Sequence, residues 1–204
     1  MTAYRIPVVE VDGELGDIIE VFVRINSTGK ALTPQEKRRA NYCNSTFLKE
    51  ADRLARRLET KFVRMRILSA SQISRMKHIE VVCELMVSIH RGDVINKKSA
   101  LDRVMKADDF GARDTAKAAR GTPQAVNRVL RMFPRLGTTR FSKVTDFYSL
   151  VMVVAKFEEE GLVLTDRRRN RLAWDLLVAF SNKVDELRER QRKLETVKPE
   201  QELY

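Results

Sequence analysis

Apolar residues recur at helical spacing along almost the whole chain. After Ser45, the residues Phe47, Ala51, Leu54 and Leu58 fall on one face, with Leu48 and Ala55 beside them, which predicts an amphipathic helix. The helical pattern resumes at Ser71 and runs to His90. Its stretch from Ile79 to Val87 is apolar nearly all round and so belongs at the centre of a fold, and Arg91-Gly92-Asp93 ends it. Lys98 to Lys106 predicts a shorter helix burying Leu101, Val104 and Met105, and Asp108 to Arg120 a weak, alanine-rich one. Thr122-Pro123 reads as a fresh cap-then-proline start, with Ala125, Val126, Val129, Leu130 and Phe133 on one face. Ser142 to Phe157 predicts a second core helix ended by Gly161. A long last helix starts at Thr165 or Asp166, with Leu172, Leu176, Phe180, Val184, Leu187 and Leu194 as its stripe.

The N-terminal part is less regular. Tyr4 to Val11 is rich in β-branched residues and ends at the turn pair Asp12-Gly13, so it reads as a strand, which Pro7 confines to an edge. No second strand accompanies it. Asp17 to Ile25 fits both periods. Helix is preferred, with Asp17 as its cap and Phe22 and Ile25 as core positions. Thr33-Pro34-Gln35-Glu36 is a strong start signal, because Thr33 caps, Pro34 takes the first helical position and Glu36 completes a capping box. The expected fold class is mainly α: a helical domain of about six to eight helices with a short extended N-terminal segment.

Composition narrows the function. The chain has 204 residues, 43% hydrophobic and 33% charged, enough for a sizeable core and unlike a disordered tail. Cys43 and Cys83 are too few for a disulfide scaffold and lack metal-ligand spacing, and His78 and His90 lie too far apart to share a metal. The longest apolar run, Leu150 to Ala155, is too short to span a membrane, and the first residues show no signal-peptide pattern, so the expected location is the cytoplasm, with no membrane partner. There is no nucleophile–base pair, phosphate-binding glycine loop or metal cluster, hence no catalytic residue to assign. Lys and Arg number 39 against 28 Asp and Glu, a net charge of +11. Residues 61–140 hold seventeen basic side chains against seven acidic ones, while residues 141–204 are balanced. Such an excess points to a polyanion, and nucleic acid is the expected partner.

One segment carries more information. Phe22, Arg24, Ile25, Asn26, Ser27, Gly29, Leu32, Thr33 and Glu36 match, in unbroken spacing, the Phe-x-Arg-(Ile/Leu)-Asn-Ser-x-Gly-x-x-Leu-(Ser/Thr)-x-x-Glu element of the GmrSD-type restriction endonuclease N-terminal domain family, which the segment resembles. The resemblance implies a ParB-like α/β part followed by a helical region. It also implies a role in bacterial or phage defence, through nucleotide-dependent restriction of foreign DNA. The family's upstream Asp-Gly-Gln-Gln-Arg motif is absent here, as is any His-Asn-His nuclease motif. The chain is therefore expected to be a truncated or split portion. Residues 1–32 would be a remnant of the ParB-like part and residues 33–204 the helical domain. It would use no cofactor itself, where a complete relative would use a nucleoside triphosphate. A separately encoded N-terminal half is an expected partner.

The same residues have a plainer reading. Asn26 and Gly29 suit a helix stop, and Leu32 with the Thr33–Glu36 box suits a helix start. Arg24 alone is left over, and its guanidinium suits a phosphate or a carboxylate. The candidates for nucleotide or phosphate binding are Arg24, Asn26, Ser27, Gly29 and Lys30. Those for nucleic acid are Arg64, Arg66, Arg75, Lys77, Lys97, Lys98, Arg128 and Arg131 in the basic middle, with Arg167, Arg168 and Arg169 at the start of the last helix. The expected function is that of a noncatalytic, nucleic-acid-facing helical portion of a GmrSD-like defence protein. The alternative is a protein-interaction or scaffold module whose basic face meets an acidic partner.

Overall fold

Local chemistry sets where most helices begin and end. The computed structural model describes Val8, Glu10 and residues 12–27, 31–95, 98–106, 110–162 and 165–197. Among these residues there are nine α-helices and no strand, so the chain is mainly α as expected. They are α1 (Leu15–Ser27), α2 (Pro34–Asn41), α3 (Thr46–Arg64), α4 (Ala70–Ser74), α5 (Lys77–Arg91), α6 (Lys98–Lys106), α7 (Ala112–Met132), α8 (Val144–Glu159) and α9 (Arg167–Val197). Most of the expected strand, Tyr4 to Val11, lies outside the described residues, and its Val8 and Glu10 belong to no regular element.

The capping box forms. The Thr33 hydroxyl accepts the Glu36 amide at 3.2 Å, and the Glu36 carboxylate accepts the Thr33 amide at 2.6 Å. The Ser45 hydroxyl accepts the Leu48 amide to start α3, and Gly92 ends α5 in the left-handed region at φ 70°. Helix α1 begins two residues earlier than expected. The Glu14 carbonyl accepts the amides of Asp17 and Ile18, which puts Asp17 inside the first turn. Phe22 and Ile25 are exposed rather than core.

The core is organised by α5. Ile79, Val81, Val82, Cys83, Leu85, Met86 and Val87 are all buried, as a helix apolar nearly all round requires. It packs against α3, α7 and α8, with α2, α4 and α6 also against it. The predicted helix from Ser71 is broken just before it. Arg75 and Met76 form a turn, with Met76 left-handed at φ 58°, so α4 and α5 meet at an angle. Phe62 of α3 meets Phe147 of α8 edge to face, with ring centroids 5.9 Å apart. At Gly137 a β-carbon would stand 2.9 Å from the Met65 carbonyl oxygen, so only glycine lets that loop close onto the end of α3.

Two buried arginines fasten the outer helices. Arg38 of α2 reaches Asp102 of α6 at 2.7 Å and Glu80 of α5 at 3.8 Å, while Lys77 meets Glu80 at 2.6 Å. Arg140 lies between Asp146 at 3.0 Å and Asp185 of α9 at 3.8 Å, and its amide donates to the Ser181 hydroxyl at 3.1 Å. Each guanidinium leaves water only because carboxylates meet it.

Two expectations about long helices change. Thr122 starts nothing, because α7 runs unbroken through Pro123. Thr115, Ala118, Thr122, Ala125 and Val129 repeat at alternating steps of three and four and are buried together, so one continuous stripe against α5 and α3 outweighs the local stop signal. In α9 the predicted stripe faces outward. Leu172, Leu176, Phe180, Leu187 and Leu194 are more than half exposed, while Ser181 is buried and Ala173, Trp174 and Leu177 pack on the core. The helix is turned by about one residue, roughly 100°, from the expected face. The Arg140 clamp and the Trp174–Phe133 contact, with ring centroids 6.2 Å apart, set that rotation.

Two outcomes follow for stability. Pro123 inside α7 removes a backbone donor and crowds the preceding turn. Pro123→Ala is expected to stabilise the protein by about 1–2 kcal/mol, read as a higher denaturation midpoint; a lower midpoint would favour two helices with Thr122 as a cap. His78 is buried. Burial holds its pKa below the ordinary 6.5, opposed by Glu59 at 3.9 Å. The unfolded chain therefore takes up a proton first as pH falls. The contribution of His78 is complete above that value and is lost as pH drops through the lower folded one. The denaturation midpoint should fall between about pH 7.5 and about pH 5.5, and His78→Gln should flatten that fall.

Candidate nucleic-acid interface

The polar faces of α3 and α7 look outward side by side. On α3, Arg53, Arg57, Lys61 and Arg64 follow one another at steps of three and four, which places them on one face. On α7 the matching row is Arg120, Gln124, Asn127 and Arg131. The rows meet in a groove of about 510 Å³, lined among others by Glu50, Arg53, Arg57, Arg120, Asn127 and Arg131. Lys61 donates to the Asn127 amide oxygen at 2.5 Å, tying the helices across the groove floor. Arg131 donates to the backbone carbonyl of Asn127 at 3.3 Å.

The groove continues past the end of α7. Arg131 also lines a depression of about 310 Å³ with Met132, Pro134, Arg135, Trp174 and the first turns of α9. Arg167 and Arg171 of that depression line a third one together with Arg168. Shared residues thus join the three hollows into one basic surface. It carries eight arginines: 53, 57, 120, 131, 135, 167, 168 and 171. Its acids are Glu50 and Asp175.

Cations outnumber carboxylates on this surface. Arg53 is paired with Glu50, and that bond holds the Glu50 carboxyl below its ordinary range. Among the described residues the other seven arginines have no ion-pair partner. Arg135 instead lies over the Trp174 ring, its central carbon 5.5 Å from the ring centroid, a contact worth about 0.5–1 kcal/mol where solvent is near. At the start of α9 the Asp166 carboxylate accepts the amides of Arg168 at 2.8 Å and Arg169 at 3.0 Å, which lowers its pKa. Two carboxylates there, Asp166 and Asp175, stand against Arg167, Arg168, Arg169 and Arg171, at the helix end that already favours anions.

The candidates read from sequence divide accordingly. Arg131, Arg167 and Arg168 come together on this surface, and Arg64 shares the face of α3 that carries Arg57 and Lys61. Arg169 is exposed on the same first turn of α9. Others are engaged by carboxylates of the fold. Arg75 donates to the Ala31 carbonyl at 2.5 Å and pairs with Glu36 at 3.1 Å; Lys77 pairs with Glu80, and Arg128 with Glu158 at 2.7 Å. Arg66 is exposed in the left-handed turn after α3, at φ 56°. Gly29, Lys30 and Lys97, and the side chains of Arg24, Asn26, Ser27 and Lys98, lie outside the described residues.

Arg53, Arg57, Arg120, Arg135, Arg171 and Trp174 were not among the candidates. Counting charge by thirds of the chain hid them, because the surface draws on all three thirds. The signal that finds the groove is the spacing of cations on the polar faces of two amphipathic helices. Among the described residues no group of His, Cys, Asp and Glu is placed to hold a metal ion, and no helix is long and apolar enough to cross a membrane. No protein-family model, curated protein or solved structure matches the chain.

Proposed function

We propose that the chain is a noncatalytic, nucleic-acid-facing helical module of a GmrSD-like defence protein, working in the cytoplasm. The observation that carries the nucleic-acid reading is the continuous surface of arginines, seven of them with no ion pair among the described residues. Four arginines that hold the fold together, Arg38, Arg75, Arg128 and Arg140, sit in ion pairs instead. Unneutralised guanidiniums in grooves repel one another unless an anion enters, and a chain of phosphates supplies anions at regular spacing. The defence role rests on the motif around Arg24 and Asn26. In this reading nucleotide hydrolysis needs another polypeptide segment, because the chain lacks the Asp-Gly-Gln-Gln-Arg motif.

A second reading, a protein-interaction module, is favoured by a different observation. Leu172, Leu176, Leu187 and Leu194 give α9 an exposed apolar stripe.

Salt dependence tests the first reading. About 3–5 phosphate contacts are expected, giving a log–log slope of affinity against salt of about −3 to −5, with little sequence preference. The triple charge reversal R57E/R120E/R131E should remove about three units of that slope. Arg190→Glu should leave it unchanged, because Arg190 is paired with Glu186 at 2.5 Å on the far half of α9. A salt-independent affinity, or equal sensitivity at Arg190, would overturn the nucleic-acid reading and bring the interaction module forward.

A further inference from the structure

The hollow beside Trp174 differs from the rest of the basic surface. The groove between α3 and α7 is lined mostly by polar side chains. The hollow is lined by the apolar Trp174, Met132 and Pro134 together with Asn170 and the guanidinium-bearing Arg131, Arg135, Arg167 and Arg171. No carboxylate lines it. Its volume of about 310 Å³ is that of a small-ligand pocket. A flat aromatic floor ringed by cations matches a molecule with one flat apolar face and one anionic group. A base with its phosphate has both.

We propose that this hollow holds one base and its phosphate from an unpaired nucleic-acid strand. The proposal rests on the nucleic-acid reading above and goes further by choosing the form of the nucleic acid. In a duplex the flat faces of bases are stacked on one another, so an intact duplex offers the hollow only phosphates, and the Trp174 floor goes unused. An unpaired strand offers a free face. Base–aromatic stacking tolerates any sequence, because every base has a flat face.

Arg135 is the moving part. Its guanidinium lies over the Trp174 ring and has no ion-pair partner among the described residues. It is exposed, so it can leave the ring without breaking a buried contact. A base takes its place on the ring, and the displaced guanidinium meets the phosphate. Arg167 and Arg171 stand at the positive end of α9, where an anion is stabilised. Arg131 belongs to both the hollow and the groove, so the next phosphates along the strand enter the channel between α3 and α7.

Trp174 is the sole tryptophan of the chain, so its fluorescence reports on the hollow directly. The test uses the full chain with three probes: a labelled oligothymidylate, a duplex of the same length, and free thymidine monophosphate. Binding is followed by anisotropy of labelled strands and by Trp174 emission. The oligothymidylate is expected to bind more tightly than the duplex at equal salt and to quench Trp174. The mononucleotide should quench only weakly, because it lacks the phosphates that fill the groove. Trp174→Leu should weaken oligothymidylate binding roughly 5- to 100-fold and duplex binding by clearly less, and Trp174→Phe should keep most of the affinity for both. Retained affinity in Trp174→Phe separates loss of stacking from loss of the α9 seat.

Duplex binding equal to or tighter than strand binding, with Trp174 emission unmoved, overturns the proposal and leaves the nucleic-acid reading standing. So does strand binding without quenching. Saturable quenching by the mononucleotide as tight as by the strand would make the hollow a free-nucleotide site and overturn the strand assignment. Failure of all three probes at low salt overturns both the proposal and the reading beneath it.

Discussion

A helix that is apolar nearly all round can exist in water only if other helices enclose it. Helix α5 is that constraint in this molecule. Its burial demands neighbours around most of its circumference, which α2, α3, α4, α6, α7 and α8 supply. Each neighbour then needs one apolar stripe, and each turns its remaining face outward. The arginine groove is a by-product of this geometry. Once α3 and α7 present Leu54, Leu58, Val126 and Val129 to the core, the helical period leaves Arg57, Arg120 and Arg131 on the outside.

The fold separates its cations into two populations. One group is consumed in holding elements together: Arg38 ties α2 to α5 and α6, Arg140 ties α9 to the loop before α8, and Arg128 ties α7 to α8. These pairs cost desolvation and offset it with close carboxylates, so they fix geometry more than they add stability. The second group, seven arginines with no ion-pair partner among the described residues, lies on one continuous surface. Net charge alone does not distinguish the groups. What separates them is whether a carboxylate was placed opposite. The Arg140 clamp links the two, because it seats α9 with Trp174 against Phe133 and so closes the hollow at the end of the groove.

Much of this fold was legible in the sequence, and the failures have physical causes. The capping box at Thr33, the start of α3 after Ser45, the bounds of α6 and the central position of α5 all follow from local sequence pattern. Pro123 misled because its local cost is visible in sequence while the compensating stripe, spread from Thr115 to Val129, is tertiary. The face of α9 misled because aliphatic spacing favoured Leu172 and Leu176, whereas the core accepted Trp174 and a polar Ser181. For the site, Arg131, Arg167 and Arg168 were visible as cations. Their grouping with Arg57 and Arg120 depends on two helices lying side by side, which no local pattern encodes. Arg75, Lys77 and Arg128 looked identical to them until their carboxylate partners appeared.

The central claim is that arginines from α3, α7 and α9 act as one anion-binding surface. The most direct measurement follows the Nε–H signals of arginine side chains by NMR while a single-stranded oligonucleotide is added. The signals of Arg57, Arg120, Arg131 and Arg171 are expected to shift together with one common dissociation constant, and those of Arg38, Arg128 and Arg140 to stay in place. Shifts confined to one of the three helices, separate dissociation constants, or equal movement of the paired arginines would contradict the claim.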